Sequence, residues 1–438
     1  MLILVRCIVQ DCEDDWLNES SRMGNYYSSS TLTLAATFAV DGSQGCYSSR
    51  RALNESVLLR STLDDLDFLF SDRKQSFKEG ISNAPLNDRG WVVQEKYLSK
   101  RTVHFARGQV FWVCNKIAAS ETFPLGLPGL LNSFSKLEKV HTLEESPHVS
   151  WETIAVQWQT LVEQFTKTKL TRSTDRLVAF SGIAKRFQFL FARVANDDNI
   201  EYHAGLWAPL CFAHQLLWHV EKQHRTPASS LQPAAYVAPT WSWASNPGAV
   251  SWSHDLSYAD DIGEPLISVR EVSTQPGSHG DRYLTLNGGV LSIRGYLWRL
   301  SVDSADGFRF LSAVLLCSWG CKFDHKGQST LTEVLLLPIL GLRYSTSIEI
   351  QCLMLQQHKG TSEGTVRVGV CRLTMESTSR SLMGSNSNPE QVLEEFLELL
   401  EPDIAVIQPF QDPANSKDQW EKQDWRERAR MAHEVRIE

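Results

Sequence analysis

Two groups of side chains in this sequence have the types and the spacing to do chemistry. Asp11, Asp14, Asp15 and Glu19 form an acidic cluster just beyond an apolar run. A carboxylate at the end of a buried strand can position a ribose, hold a metal or move protons. The same four residues also suit the first turn of a helix, where negative charge offsets the macrodipole. The second group, Arg89, Trp91, Gln94 and Glu95, falls at helical spacing. A guanidinium fork recognises phosphate or carboxylate, and an indole stacks on a ring. Equally, Arg89 and Glu95 can pair with each other while Trp91 fills a core. Both alternatives stand at the level of sequence.

Other candidates are weaker. His104 could act as an acid or base, but a lone histidine in a hairpin is usually structural. His214 and His219 are five apart, off a common helical face and without an acidic partner at ligand spacing, so they read as ordinary helix residues. Cys317, Cys321 and His325 supply only three ligands at a loose spacing, which reads as coincidence, and no metal site is expected. Phosphate-loop, dinucleotide and nucleophile-elbow patterns are missing from the sequence.

These groups need elements to place them. Leu2 to Val9 is an apolar run that reads as a buried parallel strand, with Asp11 as the helix N-cap beyond it. Trp16, Ser20, Met23 and Tyr27 then share one helical face, and Thr31 to Ala36 is a second strand. Strand, helix and strand in that order imply a right-handed crossover and a parallel sheet. A helix is expected over Arg89–Leu98, followed by a hairpin of Arg101–Phe105 and Val110–Cys114. Helical periods follow over residues 151–165, 175–193 and 206–220. Trp241 and Trp243, two apart, would present both indoles to one face of an extended segment packed on the helical layer.

After Ser245 the pattern changes to β-rich runs near 283–286, 291–300, 310–317, 332–340, 348–355 and 365–373. A short helix is expected over 390–400, and the charged tail from Gln411 reads as mobile or as a solvated helix. The resulting division is 1–120 as an α/β module, 121–250 as a helical region, 251–410 as a β-rich domain and 411–438 as a tail. The fold class is mixed α+β overall.

Composition narrows the function classes. Of 438 residues, 42% are apolar and 21% charged, as in globular chains rather than disordered ones. The formal net charge of −8 provides no global basic field for nucleic acid or anionic lipid. Nine cysteines without framework spacing read as reduced thiols, hence a cytoplasmic setting. No apolar run approaches the ~20 residues of a membrane span.

Four ordered blocks carry a family resemblance. They are Cys7–Asp11 running on through Asp15-Trp16, Glu19-Ser20, Met23, Tyr26 and Thr31–Ala36; Arg89–Glu95 running on to Leu98-Ser99, Arg101, His104-Phe105, Gln109, Trp112 and Cys114; Asp175–Leu177 with Ser181–Ala184; and Ala238–Ser245. In order and spacing they resemble the fungal heterokaryon-incompatibility (HET) domain and the region that commonly follows it. The resemblance implies a role in self/non-self recognition and regulated cell death through a protein partner, and an oligomer is compatible with it. It also implies an α/β fold similar to Toll/interleukin-receptor (TIR) domains, some of which cleave NAD with a helix-borne glutamate. By that analogy Glu19 is the catalytic candidate, with NAD as substrate and no resident cofactor. Asp11, Asp15, Trp16, Arg89, Trp91, Gln94 and Glu95 become the ligand- or partner-facing motif. The family's pattern ordinarily opens upstream of Cys7, and Leu4-Val5-Arg6 stands where Trp-Ile-Asp is expected. The expectation is therefore an N-terminally truncated or degenerate module, in which catalysis is uncertain.

Overall fold

The computed structural model describes residues 8–9, 11–47, 57–60, 67–70, 77–127, 143–144, 148–196, 199–209, 211–221, 235–252, 264–301, 317–324, 333–344, 347–357, 364–376, 392–393, 407–409 and 432–438. The chain forms two compact units, Met1–Asn196 and Asp197–Glu438.

In the first unit, helix α1 (Glu13–Ser29) leads into strand β1 (Thr33–Ala35). Strands β2 (Val57–Arg60) and β3 (Asp67–Phe70) pair with each other in antiparallel register. Helix α2 (Gly90–Leu98) precedes the meander β4 (Arg101–Phe105), β5 (Val110–Cys114) and β6 (Ala118–Ser120). Helices α3 (Trp151–Thr166), α4 (Asp175–Val178) and α5 (Ser181–Ala195) complete the unit.

The sheet order is β1-β4-β5-β6, and only β1 and β4 run parallel. The parallel partner expected for 31–36, the run 2–9, lies mostly outside the described residues, and β1 pairs in parallel with β4 instead. The hairpin expected over 101–105 and 110–114 is β4 and β5, and the short turns joining β4, β5 and β6 give antiparallel pairing. Gly108 makes the first of those turns with φ +98°. Of the strand expected over 2–9, only Ile8 and Val9 are among the described residues, and neither is in a strand. Asp11 is not the N-cap either. The helix begins one residue later than expected, with Cys12 at the cap, and the Asp15 carboxylate accepts the Val9 N–H instead, at 2.8 Å.

Two apolar clusters hold this unit. Phe77, Ile81, Phe111 and Val113 lie under the sheet, with Phe77 and Phe111 edge to face at 6.1 Å. The helical core centres on Trp158, whose ring meets Phe180 at 5.2 Å and Phe187 at 5.1 Å. Ser150 caps α3 by accepting the Thr153 N–H, and Asn196 ends α5 in the left-handed conformation.

The second unit is mostly β. Its hairpin β7 (Glu201–His203) and β8 (Leu206–Ala208) turns at Ala204-Gly205, both with positive φ. One helical turn, α6 (Phe212–Gln215), precedes β9 (Trp218–Val220), which pairs with β10 (Val250–Trp252). The helix expected over 206–220 is thus replaced by strand, turn and strand. Its apolar residues satisfied a helical period, but Pro209 and the left-handed Cys211 (φ +47°) interrupt any continuous helix there.

A ten-stranded sheet follows, built from β11 (Glu264–Pro265), β12 (Ser268–Pro276), β13 (Leu286–Tyr296), β14 (Trp298–Ser301), β15 (Cys317–Phe323), β16 (Glu333–Arg343), β17 (Ser347–Gln357), β18 (Thr365–Glu376), β19 (Ile407–Pro409) and β20 (Ala432–Ile437). The main path runs β12-β13-β20-β18-β17-β16-β14-β19, with β11 on β16 and β15 on β18. The expected runs at 332–340, 348–355 and 365–373 are β16, β17 and β18. The end of the chain differs from its expectation. Residues 432–437 are a strand between β13 and β18, with Val435 and Ile437 buried. The alternation of apolar and polar residues over only six positions is easily lost in a charged stretch. Of the helix expected over 390–400 only Val392 and Leu393 are described, both helical, and the tail residues 411–431 lie outside the described residues.

Trp241 and Trp243 are fully buried, but the segment is not extended throughout: Trp243–Ser245 is a 3-10 turn. The Trp218 indole donates to the Trp241 carbonyl at 3.0 Å, and the Trp243 indole to the Gly205 carbonyl at 2.9 Å. A Cβ on Gly205 would come within 2.4 Å of the Trp243 ring, so this turn tolerates only glycine. These indoles build the second unit's own core rather than a helical layer.

Candidate functional site

The candidate site lies where α2 meets α1 and the Asp175–Gly182 segment. Its geometry starts from Gly90. The Gly90 N–H donates to the Lys169 carbonyl at 2.9 Å, and a Cβ there would meet Leu170 Cδ2 at 2.5 Å. Arg89 forms a bridge to Lys169 across the same contact. The Arg-Gly pair therefore seats the start of α2 against the loop after α3. At its other end Ser99 closes α2. Its Oγ donates to the Glu95 carbonyl at 2.7 Å and lies 2.7 Å from Thr33 Oγ1 of β1.

Between those anchors three side chains face neighbours. The Trp91 ring meets Trp16 of α1 edge to face, 6.2 Å between centroids, and its indole N–H faces the Asp175 carboxylate. Gln94 is fully buried, and its Oε1 accepts the Gly182 N–H at the start of α5, at 2.6 Å. Glu95, one turn after Trp91, faces the Tyr27 hydroxyl of α1, with Arg89 close enough to act on it electrostatically. Beside this, α1 and α5 touch through bare backbone. A Cβ on Gly182 would fall 2.7 Å from the Gly24 Cα.

Burial dominates the electrostatics. It raises the Glu95 pKa, against the opposing effects of the Tyr27 hydroxyl and Arg89. The Asp175 pKa also goes up by burial, opposed by Arg172, the Trp91 N–H and Thr174. Tyr27 is held far above its ordinary value by burial and then by the Glu95 charge. Two carboxyls with raised pKa thus lie at this helix, Asp175 beside the Trp91 indole and Glu95 beside the Tyr27 hydroxyl. Such a pair can hold a proton at either carboxyl and present polar edges beside an aromatic face.

Residues 5–95 match the family model described as heterokaryon incompatibility protein (HET). This stretch is a HET domain. No curated protein and no solved structure matches the chain.

The HET segment contributes Trp16, Gly24, Tyr27, Arg89, Trp91, Gln94 and Glu95 to the cluster; Asp175 and Gly182 come from beyond it. Of the residues singled out by sequence, Trp16 and Trp91 meet, and Arg89 acts on Glu95. Gln94 holds the Gly182 N–H, and Asp11, Asp15 and Glu19 sit elsewhere on or near α1. Asp11 is exposed in the turn before the helix, and Asp15 is engaged with Val9. The contacts of Glu19 run along its own helix: Tyr26 donates to Oε2 at 2.8 Å, Asn18 to Oε1 at 3.3 Å, and Arg22 lies 3.6 Å away. His104 is buried, with Nδ1 2.9 Å from Thr37 Oγ1.

Sequence reasoning passed over Tyr27 and Asp175 as site residues. Tyr27 shares a helical face with Trp16, and Asp175 opens one of the ordered blocks. Neither position states which residue it would face. Among the described residues no group of three or more His, Cys, Asp or Glu side chains is placed to hold a metal. None of the described helices is long and apolar enough to cross a membrane.

Proposed function

We propose that the chain is an incompatibility-type factor whose HET segment works in self/non-self recognition and regulated cell death, through a protein partner met in the cytoplasm. The match of residues 5–95 to the HET family carries this reading. It is supported by the way the motif residues are used: Trp91 and Glu95 each engage α1 rather than standing apart from it. The test is inducible expression of the full chain in a filamentous fungus, alone and against strains of differing compatibility type. Growth arrest is expected for the parent and not for Trp91→Ala, at matched protein levels. Normal growth of the parent in every pairing would remove the reading.

A second reading, NAD cleavage by a TIR-like module, is favoured by one observation. Glu19 lies one turn from Trp16 on the helix whose ring partner is Trp91, and Tyr26 orients its carboxylate. In that reading Asp11, Asp15 and Trp16 lie with Glu19 on α1 or its approach, Arg89, Trp91, Gln94 and Glu95 seat α2 against its neighbours, and NAD is substrate rather than cofactor. Purified chain incubated with NAD, compared with Glu19→Ala, separates the two readings. Equal or absent turnover in both proteins removes this reading.

A further inference from the structure

The second unit, outside the HET match, carries a group of basic side chains that neither reading uses. β9 packs across β15 and β18 and brings His219 onto their shared face. Lys322 of β15 places Nζ 2.6 Å from His219 Nε2, and Ser251 of β10 places Oγ 3.0 Å from the same nitrogen. Lys322 pairs with Val370 and Gly320 with Arg372, so Lys322 and Arg372 are diagonal neighbours on one face. Diagonal pairs lie ~7–8 Å apart at Cα, within reach of long side chains.

The roles within this group divide clearly. Arg367 is fully buried and structural. Its Nε donates to Asp324 Oδ2 at 3.0 Å, its terminal nitrogens donate to the Leu216 and Trp218 carbonyls, and its guanidinium lies 3.5 Å from the Trp218 ring centroid. Arg372 pairs with Glu349 at 3.2 Å and keeps its side chain 42% exposed. Lys322 is exposed and Ser251 half-buried, whereas His219 is 4% exposed. Burial, then Lys322, Arg367 and Arg372, push the His219 pKa down to about 3. The imidazole is therefore neutral at physiological pH and senses a positive field, on a chain whose formal net charge is −8.

We propose that Lys322, Ser251 and Arg372 form a binding site for a phosphate-type oxyanion, with neutral His219 as its buried floor. Lys322 and Arg372 bring cationic donors and Ser251 a hydroxyl, with part of the guanidinium engaged by Glu349 at 3.2 Å. His219 positions the site. Its Nε2 accepts from the lysine and fixes where the ammonium and hydroxyl lie, while its burial helps keep it neutral at the pH of the test.

The test uses the full chain at pH 7.5 with two probes. Inorganic phosphate is titrated by calorimetry against sodium chloride of equal ionic strength, and phosphatidylcholine vesicles with and without phosphatidic acid are tested by co-sedimentation. Saturable phosphate binding is expected, weakened at least tenfold in Lys322→Gln and less in Ser251→Ala. Lys322 is exposed, so its variant is expected to fold, as circular dichroism would check. Binding to phosphatidic acid vesicles without binding to free phosphate would assign the oxyanion to a lipid headgroup. The proposal is overturned if neither probe exceeds its control, or if Lys322→Gln binds as the parent does.

Discussion

At the residue scale, the Tyr27–Glu95 pair is the most exposed to a single substitution. Tyr27→Phe removes the donor and leaves a half-buried carboxylate to find another. The expected cost is about 1–3 kcal/mol, read as a lowered midpoint in urea denaturation. Glu95 also makes stability depend on pH. Its folded pKa is raised above the usual carboxylate value, so the folded state holds the proton longer as pH rises. Stability therefore falls as pH climbs from that usual value through the raised one, and Glu95→Gln is expected to flatten the slope. His219 works in the opposite sense. Its pKa drops from 6.5 unfolded to about 3 folded, so between those values the unfolded chain binds the extra proton. Stability is full above pH 6.5 and is lost as pH falls toward 3. His219→Gln should remove that acid-side loss, and an unchanged profile would refute the assignment. These pairings were half-legible: the residue types stood out in the sequence, but Tyr27 and Glu95 are 68 positions apart, and no local pattern joins them.

At the element scale, two glycines decide how the helices approach. A Cβ on Gly182 would strike the Gly24 backbone at 2.7 Å as well as Gln94 Oε1 at 2.6 Å. Backbone cannot swing aside, so Gly182→Ala must push α5 away from α1. A Cβ on Gly90 would instead meet the end of the Leu170 side chain at 2.5 Å, which can rotate. Alanine gains about 1 kcal/mol of helix propensity over glycine at each position, against about 1–3 kcal/mol for overpacking. The expected order is a clear loss of thermal stability for Gly182→Ala and a smaller or negligible one for Gly90→Ala. Equal melting temperatures for the two variants would contradict it. Helices α2 and α3 were readable because their apolar period is regular and their ends are marked. The 206–220 stretch misled because Leu206, Trp207, Leu216, Leu217 and Trp218 serve a buried hairpin and turn as readily as a helix.

At the scale of the whole molecule, each unit has its own core, and a fault in one should stay local. Arg367→Met strands the Asp324 carboxylate and leaves the Leu216 and Trp218 carbonyls without their donor, a loss of about 3–5 kcal/mol. Hydrogen exchange should rise across β9, β15 and β18 while α1, α2 and α5 keep their protection. The sequence by itself determined the HET resemblance, the amphipathic helices and the β-rich runs, because those signals are local: a period of 3.6 or 2 and an order of residue types along the chain. Only the tertiary structure decided that β1 pairs in parallel with β4, that residues 432–437 enter the sheet between β13 and β18, and that Glu95 faces Tyr27. Strand direction and side-chain partnership depend on where distant segments meet, and that is settled by burial of the whole chain, not by any window within it.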